Sequence, residues 1–430
     1  MKENRRSFLR KGGWLAGSLG ISPALFGASV HQDAEELSLP LSIQQLKPAL
    51  EGIVPISVEE RKQRIAKAQQ LMQQEKLDAI FMEGTTSCNY FTGMRWGQSE
   101  RTFGLLIPAK GAIAYVCPKF EEDRARELIN PAFGDEVRCW EEHESPYALI
   151  AGIVKDRGIK YRRIGMEERV RFFIADGVRK LGAGWEVTDA TPVTAGCRMY
   201  KTAAELALMQ KANDVTIEAY KAAFATIQPG MTQAQLGRNI SAAFEKLGFT
   251  GGASVQVGEY AALPHGSSKP QKIMEGDVVM VDGGTSCQGY ASDITRTIVV
   301  GKPTDKQIAV WNLEKKAQDA AFAAIRLGAP CEVVDAAARA VIEHAGYEKN
   351  YKLPGLSHRT GHGIGMDGHE WTNFVKGNKT PIGVGMCFSD EPTISIPGEF
   401  GIRLEDCLYI TEEGPRFFTP QSISIDQPFG

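Results

Sequence analysis

The chain has 430 residues, 43% of them hydrophobic and 23% charged, which is material for two globular cores and excludes a disordered or fibrous polymer. Its 49 Lys and Arg against 52 Asp and Glu leave a net charge of −3, so no field grips a phosphate backbone and nucleic acid is not expected as a partner. Beyond the N-terminus no apolar stretch reaches the roughly 18 residues of a membrane span.

Residues 1–30 begin polar and basic (Lys2, Arg5, Arg6, Arg10, Lys11) and continue as a weakly apolar run, the layout of an export signal. The run Arg5-Arg6-Ser7-Phe8-Leu9-Arg10 resembles a twin-arginine signal, whose export machinery moves proteins already folded. The expectation is an exported, periplasmic protein, tethered to the membrane if the signal is not cleaved. Residues 31–55 mix Gln, Leu and Pro without a steady period and read as a connecting arm. The eight cysteines form no C-x-x-C motif, and several sit in apolar runs such as Ala114-Tyr115-Val116-Cys117, so buried free thiols are expected.

Ser57-Val58-Glu59-Glu60 reads as a capping box opening a helix to about Glu75, with a strand over 77–82 behind it. Two apolar runs, 103–107 and 112–117, flank Pro108-Ala109-Lys110-Gly111 as a hairpin. Helices over 119–130, 147–157 and 169–181 surround a strand over 162–167, which makes 56–198 an α/β domain. Capping boxes at Thr202-Ala203-Ala204-Glu205 and Thr232-Gln233-Ala234-Gln235 start two long helices of a second domain, 199–430. From Ser254 onward strands and Gly-rich turns dominate, with helical blocks at 304–327 and 331–345, so this domain is α+β.

The chemistry concentrates in that second domain. An apolar strand ends on Asp282, and Asp293 follows 11 residues later. A hairpin centred between Cys287 and Gln288 opposes the two aspartates at roughly 4.5–5.5 Å between Cα atoms, where like charges demand a cation. Near the C-terminus a turn on Gly398 opposes Glu391 to Glu405 on one face and Asp390 to Asp406 on the other, and register alone does not choose between the pairs. His362, between Gly361 and Gly363, is an imidazole free of side-chain crowding. Two aspartates, two glutamates and one imidazole form a hard ligand set whose charge two divalent ions neutralise. Such a pair, roughly 3.5–4 Å apart, sharpens a shared water into a nucleophile, and the reaction implied is hydrolysis.

Leu263-Pro264-His265-Gly266, Val281-Asp282-Gly283-Gly284, Ser292-Asp293-Ile294-Thr295-Arg296-Thr297, Gly361-His362-Gly363-Ile364-Gly365, Asp390-Glu391-Pro392 and Arg403-Leu404-Glu405-Asp406 together resemble the pita-bread metallopeptidases. That family includes Xaa-Pro aminopeptidases, Xaa-Pro dipeptidases (prolidases) and creatinase, and the likeness covers about 56–430. It implies a creatinase-like α/β N-terminal domain followed by an α+β pita-bread catalytic domain. It makes Asp282, Asp293, His362, Glu391 and Glu405 the metal ligands, with Asp293 and Glu405 bridging, and so favours the Glu391/Glu405 face. It also implies that Glu391 handles the proton of the bridging hydroxide, that His265 and His369 hold substrate and the oxyanion, and that His358 and Arg403 bind substrate.

The cofactor implied is a pair of divalent ions, manganese first, with cobalt, iron or zinc accepted by the same donors. The partners implied are a peptide with proline in second position and a second copy of the chain. The alternative is a non-peptide hydrolase or lyase on the same fold, creatinase-like or sulfoniopropionate lyase-like. Retention of all five ligand positions weighs against the creatinase form. The short segment between Glu391 and Glu405 leans towards prolidases, with the aminopeptidase reading still open.

Overall fold

A computed structural model describes residues 39–159, 163–181 and 184–430; the expected signal over 1–30 and the start of the arm lie outside the described residues. The rest of the arm is docked, not free. Its short helix α1 (Leu41–Gln44) buries Ile43, the Ser42 hydroxyl donates to Ala222 O at 2.8 Å, and Ala49 N–H donates to Leu247 O at 2.9 Å.

The leading domain runs α2 (Val58–Gln74), β1 (Ala79–Glu83), α3 (Thr86–Thr92), β2 (Gly104–Pro108), β3 (Ala114–Pro118), α4 (Glu122–Leu128), β4 (Glu136–Trp140), α5 (Pro146–Asp156), β5 (Arg163–Met166), α6 (Phe172–Arg179), β6 (Glu186–Asp189) and α7 (Thr191–Arg198). Its six strands form one mixed sheet in the order β4-β3-β2-β1-β5-β6. The central β1, β2 and β3 are wholly buried, which is why they read as unbroken apolar runs. Strands β4 and β6 are absent from the sequence expectation because they are the sheet edges, half-exposed and carrying Glu, Arg and Asp. At the start of α2 only half of the expected capping box forms. The Ser57 hydroxyl accepts from Glu60 N–H, but the Glu60 carboxylate turns to Arg64 at 2.7 Å and the Thr202 hydroxyl at 2.9 Å.

The second domain begins with α8 (Ala203–Phe224) and α9 (Gln233–Lys246), both with complete capping boxes. It continues with β7 (Gly251–Val257), β8 (Val278–Cys287), β9 (Tyr290–Ala291), β10 (Ile294–Val299), α10 (Asp305–Ala324) and α11 (Glu332–His344). The last stretch is all strand: β11 (Gly361–Gly363), β12 (Glu370–Phe374), β13 (Cys387–Asp390), β14 (Thr393–Ile396), β15 (Phe400–Arg403), β16 (Asp406–Thr411) and β17 (Gly414–Phe417). One sheet has the core order β10-β8-β7 and packs on α8 and α9; the other runs β12-β11-β13-β16-β17 and packs, with the β14/β15 hairpin, on α10 and α11. An isolated bridge between Thr295 and Glu405 joins the two sheets. Two sheets with helices on their outer faces leave their inner edges to meet at that bridge, and the candidate site lies there.

The β8/β9 turn differs from expectation. It falls on Gln288 and Gly289, both at positive φ (51° and 93°), because a two-residue hairpin turn of this hand needs positive φ at both centres and glycine supplies the second without strain. Asp282 therefore faces Thr295 and not Asp293. Moving the turn by one residue moves the partner by two, so the face is kept and Asp293 lies diagonally from Asp282 on the same side. None of the eight cysteines is paired and all but Cys139 are buried, as expected. Among the described residues no helix is long and apolar enough to cross a membrane.

Candidate metal centre and active site

Five elements deliver the predicted ligands: β8 carries Asp282, the break before β10 carries Asp293, β11 carries His362, the end of β13 presents Glu391, and the residue before β16 is Glu405. Their ligand atoms converge. Asp282, Asp293 and Glu405 bring one oxygen each within 4.8 Å of one another, and a ring nitrogen of His362 with one oxygen each of Glu391 and Glu405 forms a second such group. His362 Nε2 lies 3.4 Å from Glu391 Oε1 and 3.9 Å from both Asp293 Oδ2 and Glu405 Oε1. The register expected around Gly398 holds across β14/β15 and β13/β16, where Asp390 pairs with Asp406; Glu391 and Glu405 lie between the two ladders. Glu391 and Glu405 face the cluster, whereas Asp406 turns away to Arg296 at 2.7 Å and Gln318 at 3.1 Å.

The glycines flanking His362 have a different reason from the one expected. A Cβ on Gly361 meets Ser389 O at 2.1 Å and one on Gly363 meets Trp371 O at 2.4 Å, so neighbouring strands, not an ion, exclude side chains there.

The electrostatics are those of an acid cluster out of water. Burial, then Asp282 and Glu391, pushes Asp293 well above the usual carboxylate range; burial, then Asp293 and Glu391, does the same to Glu405. Burial raises Glu391 to about 7 against the opposing pull of Arg403. Glu405 Oε1 is buried with no hydrogen-bond partner, and burial drives His362 down to about 3, leaving it a neutral imidazole. An orphaned carboxylate oxygen, a neutral imidazole and clustered acids are the donor set a hard divalent cation fits. The Thr295 hydroxyl lies 2.8 Å from Asp282 Oδ1 and 2.7 Å from Glu405 Oε2, orienting one carboxylate from each sheet.

A cavity of about 330 Å³ opens onto this cluster, and all nine residues singled out from the sequence line it, together with Pro264 and Arg359. Their surroundings differ. His358 has both ring nitrogens engaged, Nδ1 with Arg359 O at 2.7 Å and Nε2 with Thr393 Oγ1 at 3.0 Å, and burial lowers it to about 4. It has no nitrogen left for a ligand. Arg403 is likewise occupied: it pairs with Asp282 Oδ2 and donates to Thr295 Oγ1 and Pro264 O at 3.2 Å each, which fits holding a metal ligand better than gripping substrate. His369 is exposed towards the cavity and stacks on His362 with centroids 3.8 Å apart. Arg359 and Thr295 were missed as site residues, although Thr295 stands within a motif that carries an expected ligand and Arg359 directly follows His358.

Behind His369 a buried charge cluster ties the two domains. Glu370, its side chain 1% exposed, takes Arg198 of α7 and Lys201 at 3.1 Å, and Asp367 takes Arg198 at 2.7 Å and the Thr86 hydroxyl at 2.7 Å. Despite full burial, these cations hold Glu370 down at about 2.

Residues 207–412 match the model of metallopeptidase family M24, and residues 64–200 match the creatinase/prolidase N-terminal domain. An Xaa-Pro dipeptidase of Lactobacillus delbrueckii subsp. lactis is 31% identical over 363 residues, 83% of this chain and 96% of the relative. The chain belongs to metallopeptidase family M24. The M24 chain also superimposes on dipeptidase PepE from Mycobacterium ulcerans with a TM-score of 0.79 at 31% identity, covering 86% of this chain and 98% of that one. A prolidase from Thermococcus sibiricus gives 0.75 at 29% identity, covering 84% and 97%. The fold is thus the creatinase-type leading domain followed by the pita-bread catalytic domain, and the protein is a metallopeptidase.

Proposed function

We propose that this M24 enzyme hydrolyses the peptide bond preceding proline in short peptides, acting as an exported Xaa-Pro peptidase of the prolidase type. The observation that carries the reading is the convergence of Asp282, Asp293, His362, Glu391 and Glu405 on one cavity with Glu391 raised to about 7. Those five residues would hold two divalent ions, manganese first, which when bound would supply Lewis acidity to the scissile carbonyl and the attacking water.

The chain's own groups perform the rest. Glu391, a carboxylate on the cavity wall, takes a proton from the attacking water and returns it to the leaving amine. His369 and His265, both on the cavity wall, face the carbonyl oxygen as charge develops there. Arg403 and Thr295 fix Asp282 and Glu405 so that neither swings out of place. Proline is favoured because its tertiary amide has no N–H and its ring presets φ, so a shaped pocket distinguishes it from other residues.

Export is inferred from the basic, twin-arginine-like start at Arg5 and Arg6, and a homodimer from the family likeness. Cleavage of an Xaa-Pro dipeptide is compared with that of the matching Xaa-Pro-Yaa tripeptide and of an Xaa-Ala dipeptide. The reading expects the Xaa-Pro dipeptide to have the highest kcat/KM. A preference for the tripeptide moves the enzyme to the aminopeptidase branch, and turnover of none of them refutes the function.

A further inference from the structure

His362 and His369 stack on one another, yet their Nδ1 atoms meet opposite chemistry. His362 Nδ1 lies 3.1 Å from Gly363 O. A carbonyl only accepts, so this Nδ1 carries the proton and Nε2 is bare, turned towards Glu391 at 3.4 Å. His369 Nδ1 lies 2.9 Å from Arg359 Nη2. A guanidinium only donates and keeps its charge throughout the working range, so this Nδ1 must be bare and the neutral ring carries its proton on Nε2. Arg359 is itself held: its Nη1 donates to Asn373 Oδ1 at 3.0 Å, and Asn373 stands opposite His362 in the β11/β12 pair. The planar fork thus spans from the strand beside the metal ligand to the neighbouring histidine.

We propose that Arg359 is a positioning residue that sets the tautomer of His369, so that His369 presents an N–H donor to the substrate and is withheld from the metal. The withholding has content, because His369 reaches within 4.8 Å of ligand atoms of Asp293 and His362 and would otherwise offer a third nitrogen-and-oxygen ligand group. With Nδ1 committed to Arg359 and Nε2 protonated, no lone pair remains for an ion. Two touching imidazoles are thereby given complementary duties by their second nitrogen's partner, a carbonyl for the ligand and a guanidinium for the donor. The identity of the substrate oxygen rests on the peptidase reading above; the tautomer does not.

Long-range proton–nitrogen NMR on zinc-loaded protein labelled with ¹⁵N-histidine reads the tautomers directly, with His369 assigned by its loss in His369→Gln. His362 is expected in the Nδ1–H form and His369 in the Nε2–H form. Arg359→Met should turn the His369 pattern into a mixture and lower kcat about ten- to hundred-fold with KM and zinc content unchanged. Arg359→Lys keeps one donor at Nδ1 and should retain the Nε2–H form with part of the rate. A His369 protonated on Nδ1 in the unsubstituted protein overturns the proposal, and that reading needs no variant to fold. So does an Arg359→Met protein in which either the tautomer or kcat is unchanged. If no Xaa-Pro peptide is cleaved while the tautomers are as stated, the functional reading fails and the assignment of Arg359 stands.

Discussion

Stripping the divalent ions with a chelator should expose a Glu391-dependent loss of folded-state stability as pH rises from 5 to 8. Asp293, Glu391 and Glu405 all have folded-state pKa values raised above their unfolded values, by burial first and by one another second. At these three carboxyls the folded chain therefore binds more protons than the unfolded chain across that window, and their contribution to stability falls with increasing pH. The contribution is fully present below the unfolded values and is lost as pH passes through the folded ones. For Glu391, a rise from 4.5 to about 7 corresponds to about 3 kcal/mol.

Other shifted groups set the background on which the Glu391 contribution is read. Glu370, held at about 2 by Lys201 and Arg198 despite burial, contributes stability that is complete above pH 4.5 and is lost only in acid. The buried histidines work the other way: His362, lowered to about 3, and His358, lowered to about 4, stay neutral in the folded chain while the unfolded chain takes up protons below about 6.5, so they make stability rise from pH 5 to about 6.5. Buried Asp390 and Glu314, both raised, add to the fall. Urea melts of chelated protein at pH 5, 6, 7 and 8 measure the dependence, and Glu391→Gln should gain stability relative to the unsubstituted chain as pH rises, because it lacks one group whose contribution falls. A pH dependence that is the same in the chelated protein and in chelated Glu391→Gln would refute the charge account of the site.

Two substitutions separate chemistry from architecture. Glu391→Gln should lower kcat by about 10²–10⁴-fold while the far-ultraviolet spectrum is unchanged, and full activity removes Glu391 from proton transfer. Arg198→Met leaves Asp367 and Glu370 short of a buried partner and should destabilise the metal-loaded protein by roughly 3 kcal/mol or more in urea melts. A change near zero there means that the interdomain cluster contributes no net stability.

Much of this was legible in the sequence because periodicity and caps act locally. Thr202 and Thr232 open their helices where the Ser/Thr-x-x-Glu/Gln pattern places them. The C-terminal register was legible because a turn on Gly398 fixes every pair outward from it. What escaped was decided by tertiary context. Whether Glu60 closes its own cap depends on Arg64 and Thr202 arriving beside it, 4 and 142 residues away in the chain. The β8/β9 hairpin slipped because the choice of Gln288-Gly289 over its neighbours turns on backbone φ, which composition does not display. The roles of Arg403 and His358 were obscured because a motif gives a side chain's identity but not what its polar atoms touch once packed. Arg359 went unread for the same reason, since its partner His369 becomes a neighbour only when β11 and β12 pair.

The central claim is that side chains scattered over 282–405 form one divalent-metal centre. Crystals soaked in manganese and measured at its absorption edge test this most directly. The account predicts two anomalous peaks, both within coordinating distance of the cluster, with Asp293 and Glu405 touching each ion. No peak in the cavity at saturating manganese, or peaks whose ligands exclude Asp282, His362 and Glu391, would contradict it.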